Sequence, residues 1–109
     1  MPDSLPSFSR TDQHGWTFSF PDHPALLCFV KEDCPTCDMT MPLIEAAWRA
    51  FQGEVDVLAI GQEAAGNALL IERHKLTGPM LDDSDLKLSH AYNVEIVPTI
   101  ILAETGGAE

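Results

Sequence analysis

The apolar and polar positions of this chain fall into a few distinct rhythms. Ser7–Arg10 and Trp16–Phe20 alternate roughly, and the polar tract Thr11-Asp12-Gln13-His14-Gly15 between them ends in glycine. That arrangement predicts a hairpin. Pro21–Pro24 is a connection, with His23 held extended before a proline. The run Ala25–Val30 (ALLCFV) is wholly apolar and is followed by Lys31-Glu32-Asp33. It predicts a buried strand ending near Lys31. Leu43, Ile44, Ala47, Trp48 and Phe51 then recur at helical spacing, which predicts a helix starting near Pro35. Pro42 removes one hydrogen bond inside that helix, so a bend is expected at Met41–Leu43. Gly53 is the expected C-terminal cap.

Val55–Ile60 is short and β-rich, hence a strand, and a second helix is predicted over about Ala64–Leu76, weakened by Gly66 and Asn67. Thr77-Gly78-Pro79 stops it. Met80-Leu81 is a very short strand or an extended loop. Asp82-Asp83-Ser84 is expected to cap a short helix to about Ala91, carrying Leu86 and Leu88 with Tyr92 just beyond. The last strand begins at Thr99, because Pro98 within it would cost a ladder bond. The order is hairpin, strand, helix, strand, helix, short helix, strand. It predicts one α/β domain over residues 1–109, with a right-handed β-α-β crossover. Ala103–Glu109 resembles a hairpin turn with no second strand after it. A C-terminal strand or helix is therefore expected to be missing. The Thr99–Leu102 strand would then present an open edge suited to pairing with a second copy.

A chain of 109 residues, 45% of them apolar, suffices for a single core and excludes a disordered polymer. The formal charge of −11, with only six Lys and Arg, argues against nucleic acid and anionic membrane surfaces. No apolar run is long enough to span a membrane. Residues 1–10 carry neither a positive n-region nor an apolar h-region. The default expectation is thus cytoplasmic, and a removed leader would place the chain in the periplasm or beyond. Three cysteines, an odd number, do not suggest a structural disulfide framework.

Cys34-Pro35-Thr36-Cys37 sits where the buried strand hands over to the helix. There the first backbone N–H groups are unpaired and the helix dipole is positive, which favours a thiolate. A C-x-x-C in that place is a dithiol with one reactive sulfur and one positioned to resolve it. Zinc would want four ligands, and His14, His23, His74 and His90 lack the spacing to supply them. His74, in Glu72-Arg73-His74-Lys75, is expected on solvated helix surface. Met39 and Met41 are expected as packing, Trp16 and Trp48 as core or hairpin packing, and Cys28 as a small buried apolar residue.

The Cys34–Cys37 motif after an apolar strand, Pro42 five positions on, and the distant Val97-Pro98-Thr99 together resemble the thioredoxin superfamily. The stretches Ser7–Phe20 and Pro79–Leu102 resemble its TlpA/ResA-like, redoxin-type branch, and the likeness runs from about Phe8 to Leu102. The resemblance implies a thioredoxin-like fold, with a central mixed sheet flanked by helices, and thiol–disulfide oxidoreductase activity without cofactor or metal. Its partners would be protein disulfides or dithiols and an electron donor of unknown identity. Cys34 corresponds to the nucleophile, Cys37 to the resolving thiol and Pro98 to a cis-proline beside them. Val97 would pair by its backbone with an extended substrate, and Pro35 and Thr36 would tune the pair. Three positions depart from the pattern. Cys28 stands where thioredoxins often bury an acid, Thr40 where this branch often has Glu, and Asp33 where Trp is usual. The departures leave a second expectation open, a binding or redox-sensing module of a larger protein. A redoxin-type peroxidase is disfavoured by Lys31, three residues before Cys34, where Thr is usual.

Overall fold

The computed structural model describes residues 5–104. Strands β1 (Phe8–Thr11) and β2 (Thr17–Phe20) form the antiparallel hairpin, in the register Phe8↔Phe20 to Thr11↔Thr17. Its turn is organised by Asp12, whose carboxylate accepts from the backbone N–H of His14 and of Trp16, each at 2.9 Å. Gly15 takes a φ of +86°, the left-handed conformation that explains a glycine there.

Strand β3 (Ala25–Val30) is followed by helix α1 (Pro35–Ala50), strand β4 (Asp56–Gly61), helix α2 (Ala64–His74) and strand β5 (Met80–Asp82). Helix α3 (Lys87–Ala91) and strand β6 (Thr99–Ala103) complete the described chain. The sheet order is β5-β4-β3-β6, with β3, β4 and β5 parallel and β6 antiparallel to β3. This mixed sheet flanked by helices is a thioredoxin-like fold. Met80–Leu81, open between strand and loop in the sequence, is a strand pairing with Ala59 and Ile60.

Alternation along β3 assigns its side chains to two cores. Cys28 and Val30 join Met41 and Ile44 of α1 and Leu70 of α2 on one face. Leu27 and Phe29 join Leu88 and Tyr92 on the other, where Phe8 and Phe18 of the hairpin also pack. Both faces are covered, which is why β3 is apolar throughout instead of alternating.

Several boundaries differ from expectation for local reasons. Helix α1 continues through Pro42 as one element. Its C-cap is Phe51, whose N–H reaches the Ala47 carbonyl at 3.0 Å. Gly53 adopts φ +85° in the turn beyond, so the cap falls earlier than the glycine suggested. The buried stripe of α1 is Cys37, Met41 and Ile44, at i, i+4 and i+7, which rotates Leu43 outward to 69% exposure. Met39 and Met41 divide in the same way, Met39 exposed and Met41 sealed in the core. Asp83 caps α3 across a gap, as its buried carboxylate accepts from the N–H of Leu88 at 2.9 Å and of Ser89 at 2.8 Å.

The two edges of the sheet are treated differently. At β5 the Gln13 amide accepts from the Met80 N–H at 2.7 Å and donates to the Gly78 carbonyl at 2.8 Å, so the hairpin turn covers that edge. Strand β6 pairs with β3 alone among the described residues, an edge of the kind expected. Residues 105–109 of the turn expected after it lie outside the described chain.

Candidate active site: a dithiol at the start of helix α1

Cys34 is the N-cap residue of α1, with extended φ −116° and ψ 110°. Its sulfur accepts from the Cys37 N–H at 3.2 Å, taking the place that a serine or aspartate oxygen usually fills. Pro35 occupies the first helical turn, where its missing N–H costs nothing and its fixed φ suits the helix. An N-cap sulfur that accepts a backbone N–H is stabilised most when it is a thiolate. Cys34 is partly exposed and Cys37 fully buried, so one sulfur of the pair faces solvent and the other the core.

The Cys37 sulfur accepts from the Lys31 N–H at 3.4 Å. Burial pushes its thiol up to about 12, with the Cys34 sulfur and the Asp38 charge adding to the shift and the Lys31 N–H opposing it. Cys28 lies in the same core and is a small buried residue, as expected, its thiol also pushed up to about 12 by burial.

The β3–β6 register brings a distant segment to the pair. Phe29 opposes Thr99, so residues just before Thr99 lie level with the chain leaving β3. The Val97–Pro98 peptide bond is cis, and the Val97 carbonyl lies 3.9 Å from the Cys34 sulfur. A second cis bond, Phe20–Pro21, closes the hairpin and was not anticipated. The structure thus gathers Cys34, Pro35, Thr36, Cys37, Val97 and Pro98 at one end of the sheet.

The departures noted in the sequence have visible consequences. Thr40 turns its hydroxyl back onto the Thr36 carbonyl of its own helix, at 2.9 Å. Asp33 is well exposed, with the Lys31 ammonium 3.9 Å away.

One group of residues was missed. His74 was expected on solvated surface, yet its side chain is only 15% exposed and its Nε2 lies 2.8 Å from Asp38 Oδ1. Arg73 donates to the same oxygen at 2.8 Å and to the Glu32 carboxylate at 2.8 Å. His74 and then Arg73 hold the Asp38 carboxyl below its usual range. An acid directly after the second cysteine and a basic pair ending the next helix were the signals, but periodicity does not report a pairing between two helices.

A small domain with this sheet and a cysteine pair capping its first long helix is a thioredoxin-superfamily protein of the redoxin type. The chain belongs to the AhpC/TSA family, whose pattern matches residues 1–107. No curated protein matches it in sequence. Among solved structures it is similar to StoA from Bacillus subtilis, with a TM-score of 0.82, 24% identity, and 97% of this chain and 85% of that one covered. It is also similar to a secreted Mycobacterium tuberculosis disulfide oxidoreductase homologous to E. coli DsbE, with a TM-score of 0.75 and 23% identity, covering 90% and 76%. The thioredoxin domain of a Bacteroides vulgatus thiol-disulfide oxidoreductase follows at TM-score 0.76 and 21% identity, covering 97% and 82%.

Proposed function

We propose that this protein is a thiol–disulfide oxidoreductase that reduces protein disulfides through Cys34 and Cys37. The observation that carries the reading is the asymmetry of the pair. Cys34 is a partly exposed N-cap sulfur, and Cys37 is a buried thiol whose N–H donates to that sulfur at 3.2 Å. In the reaction the Cys34 thiolate attacks one sulfur of a substrate disulfide, forming a mixed disulfide and expelling the other sulfur as a thiolate. Cys37 loses its proton and attacks the Cys34 sulfur, which releases the second substrate thiolate. The substrate gains two electrons and the enzyme becomes the Cys34–Cys37 disulfide, to be reduced again by an external thiol donor.

Val97 and Pro98 contribute the substrate edge in this reading. The Val97 carbonyl, beside the Cys34 sulfur, is placed to pair with an extended segment carrying the target cysteine. Pro35 and Thr36 form the exposed turn over which that segment passes, and Pro35 leaves one fewer N–H donor near the sulfur.

The roles are tested by trapping. Cys37→Ser should accumulate a covalent mixed disulfide with a disulfide-bonded peptide on non-reducing gels, and Cys34→Ser should not. Equal trapping by both variants would sink the assignment. A second reading, a binding or redox-sensing module with little turnover, is favoured by Thr40 and Cys28 standing where carboxylates would relay a proton. It predicts negligible reduction of insulin disulfides by the intact domain, while the pair still oxidises reversibly.

A further inference from the structure

Two carboxylates bracket the redox motif in sequence, Glu32 two residues before Cys34 and Asp38 directly after Cys37. Both turn to the same cation. Arg73, near the end of α2, donates to Asp38 Oδ1 at 2.8 Å, to Glu32 Oε2 at 2.8 Å and to the Glu32 carbonyl at 3.4 Å. His74 adds its Nε2 to Asp38 Oδ1 at 2.8 Å. Helix α2 comes close enough for this because residue 66 is glycine. A Cβ on Gly66 would lie 2.9 Å from the Glu32 Cβ, so only a bare backbone admits the loop.

We propose that Arg73 and His74 are positioning residues for the thiol exchange, a charge clamp from α2 that offsets the two anions beside the cysteines. The inference rests on the exchange reading above. An uncompensated carboxylate near a thiol disfavours the thiolate, and Asp38 acts on Cys37 in that direction. Asp33 and Lys31 also flank the motif, with their charges 3.9 Å apart, and Glu63 at the N-cap of α2 lies beside the same Gly66–Glu32 contact. The Arg73 guanidinium is therefore the fixed positive charge held against Glu32 and Asp38, with His74 adding to it when protonated.

The experiment uses the full chain with Cys34 loaded as a mixed disulfide with thionitrobenzoate. It follows release of the second thionitrobenzoate as Cys37 attacks, at pH 8 and low salt. Arg73→Met should slow that step about threefold, the size expected for one unit charge several ångströms away in a water-like medium. Asp38→Asn should speed it by a similar factor, although it loses hydrogen bonds. Arg73→Met placed on Asp38→Asn and Glu32→Gln should slow the step less than it does alone, because the guanidinium is no longer held beside the pair. Opposite signs for two partners of one ion pair are what charge produces, because lost scaffolding would slow both. Salt at about 1 M should shrink the differences. If both single variants slow the step, or neither changes it while the wild type still resolves, the clamp is overturned. If the wild type itself does not release the second thionitrobenzoate, the exchange reading falls instead.

Discussion

The thiol of Cys37 lies behind its partner in an apolar core, and that has a measurable kinetic consequence. Burial is the largest cause of its displacement from 9.0 to about 12, followed by the Cys34 sulfur. At pH 7 an ordinary thiol at 9.0 is ionised in about one molecule in 100, whereas a thiol at about 12 is ionised in about one in 100,000. In the mixed disulfide Cys34 no longer carries a proton or a charge, so its contribution disappears. Burial and Asp38 remain, and the Lys31 N–H still opposes them. The Cys37 value in that intermediate should therefore stay above 9. Resolution requires the thiolate, so its rate should climb about tenfold per pH unit from pH 6 to 8 without levelling. The sign follows from the raised value, since higher pH removes the proton that burial favours. Stopped-flow absorbance on the Cys34–thionitrobenzoate adduct reads this single step. A plateau at or below pH 8 would mean that Cys37 is already ionised there, and the burial argument would be wrong.

Asp83→Ala should be among the most costly single changes in this domain. It removes a fully buried carboxylate and strands the N–H groups of Leu88 and Ser89. A loss of about 2–5 kcal/mol in urea unfolding is expected, and a loss below about 1 kcal/mol would refute the capping role. The edge of β6, which pairs with β3 alone among the described residues, leads to a third prediction. Two copies joined along Thr99–Ala103 should sediment as a dimer that Ile100→Lys returns to monomer, and a concentration-independent monomer would remove that pairing.

Much of the fold was legible because its signals are local. The ALLCFV run, the Asp12–Gly15 turn and the Pro98 stop each act within a few residues, and β3, the hairpin and β6 fall where those signals put them. The cysteine pair was legible for the same reason, since a strand-to-helix junction can be recognised without tertiary contacts. What escaped depends on how elements meet. Leu43 has helical spacing and still faces solvent, because the sheet takes the stripe through Cys37, Met41 and Ile44. His74 has a polar neighbourhood in sequence, yet α2 brings it against Asp38, thirty-six positions away. The Gln13 bridge to Met80 and Gly78 escaped likewise, because a glutamine in a turn shows nothing of the sheet edge it will cover.

The third cysteine gives the domain a built-in reporter. Cys28 is at 1% exposure in the middle of β3, flanked by β4 and β6. Alkylating reagents should therefore modify it only when the centre of the sheet opens, while a cap at Cys34 leaves the sheet intact. With Cys34 and Cys37 held as a disulfide, the rate of labelling at Cys28 becomes a clock for opening of the core. Its dependence on denaturant then distinguishes a local fluctuation of β6 from unfolding of the whole domain.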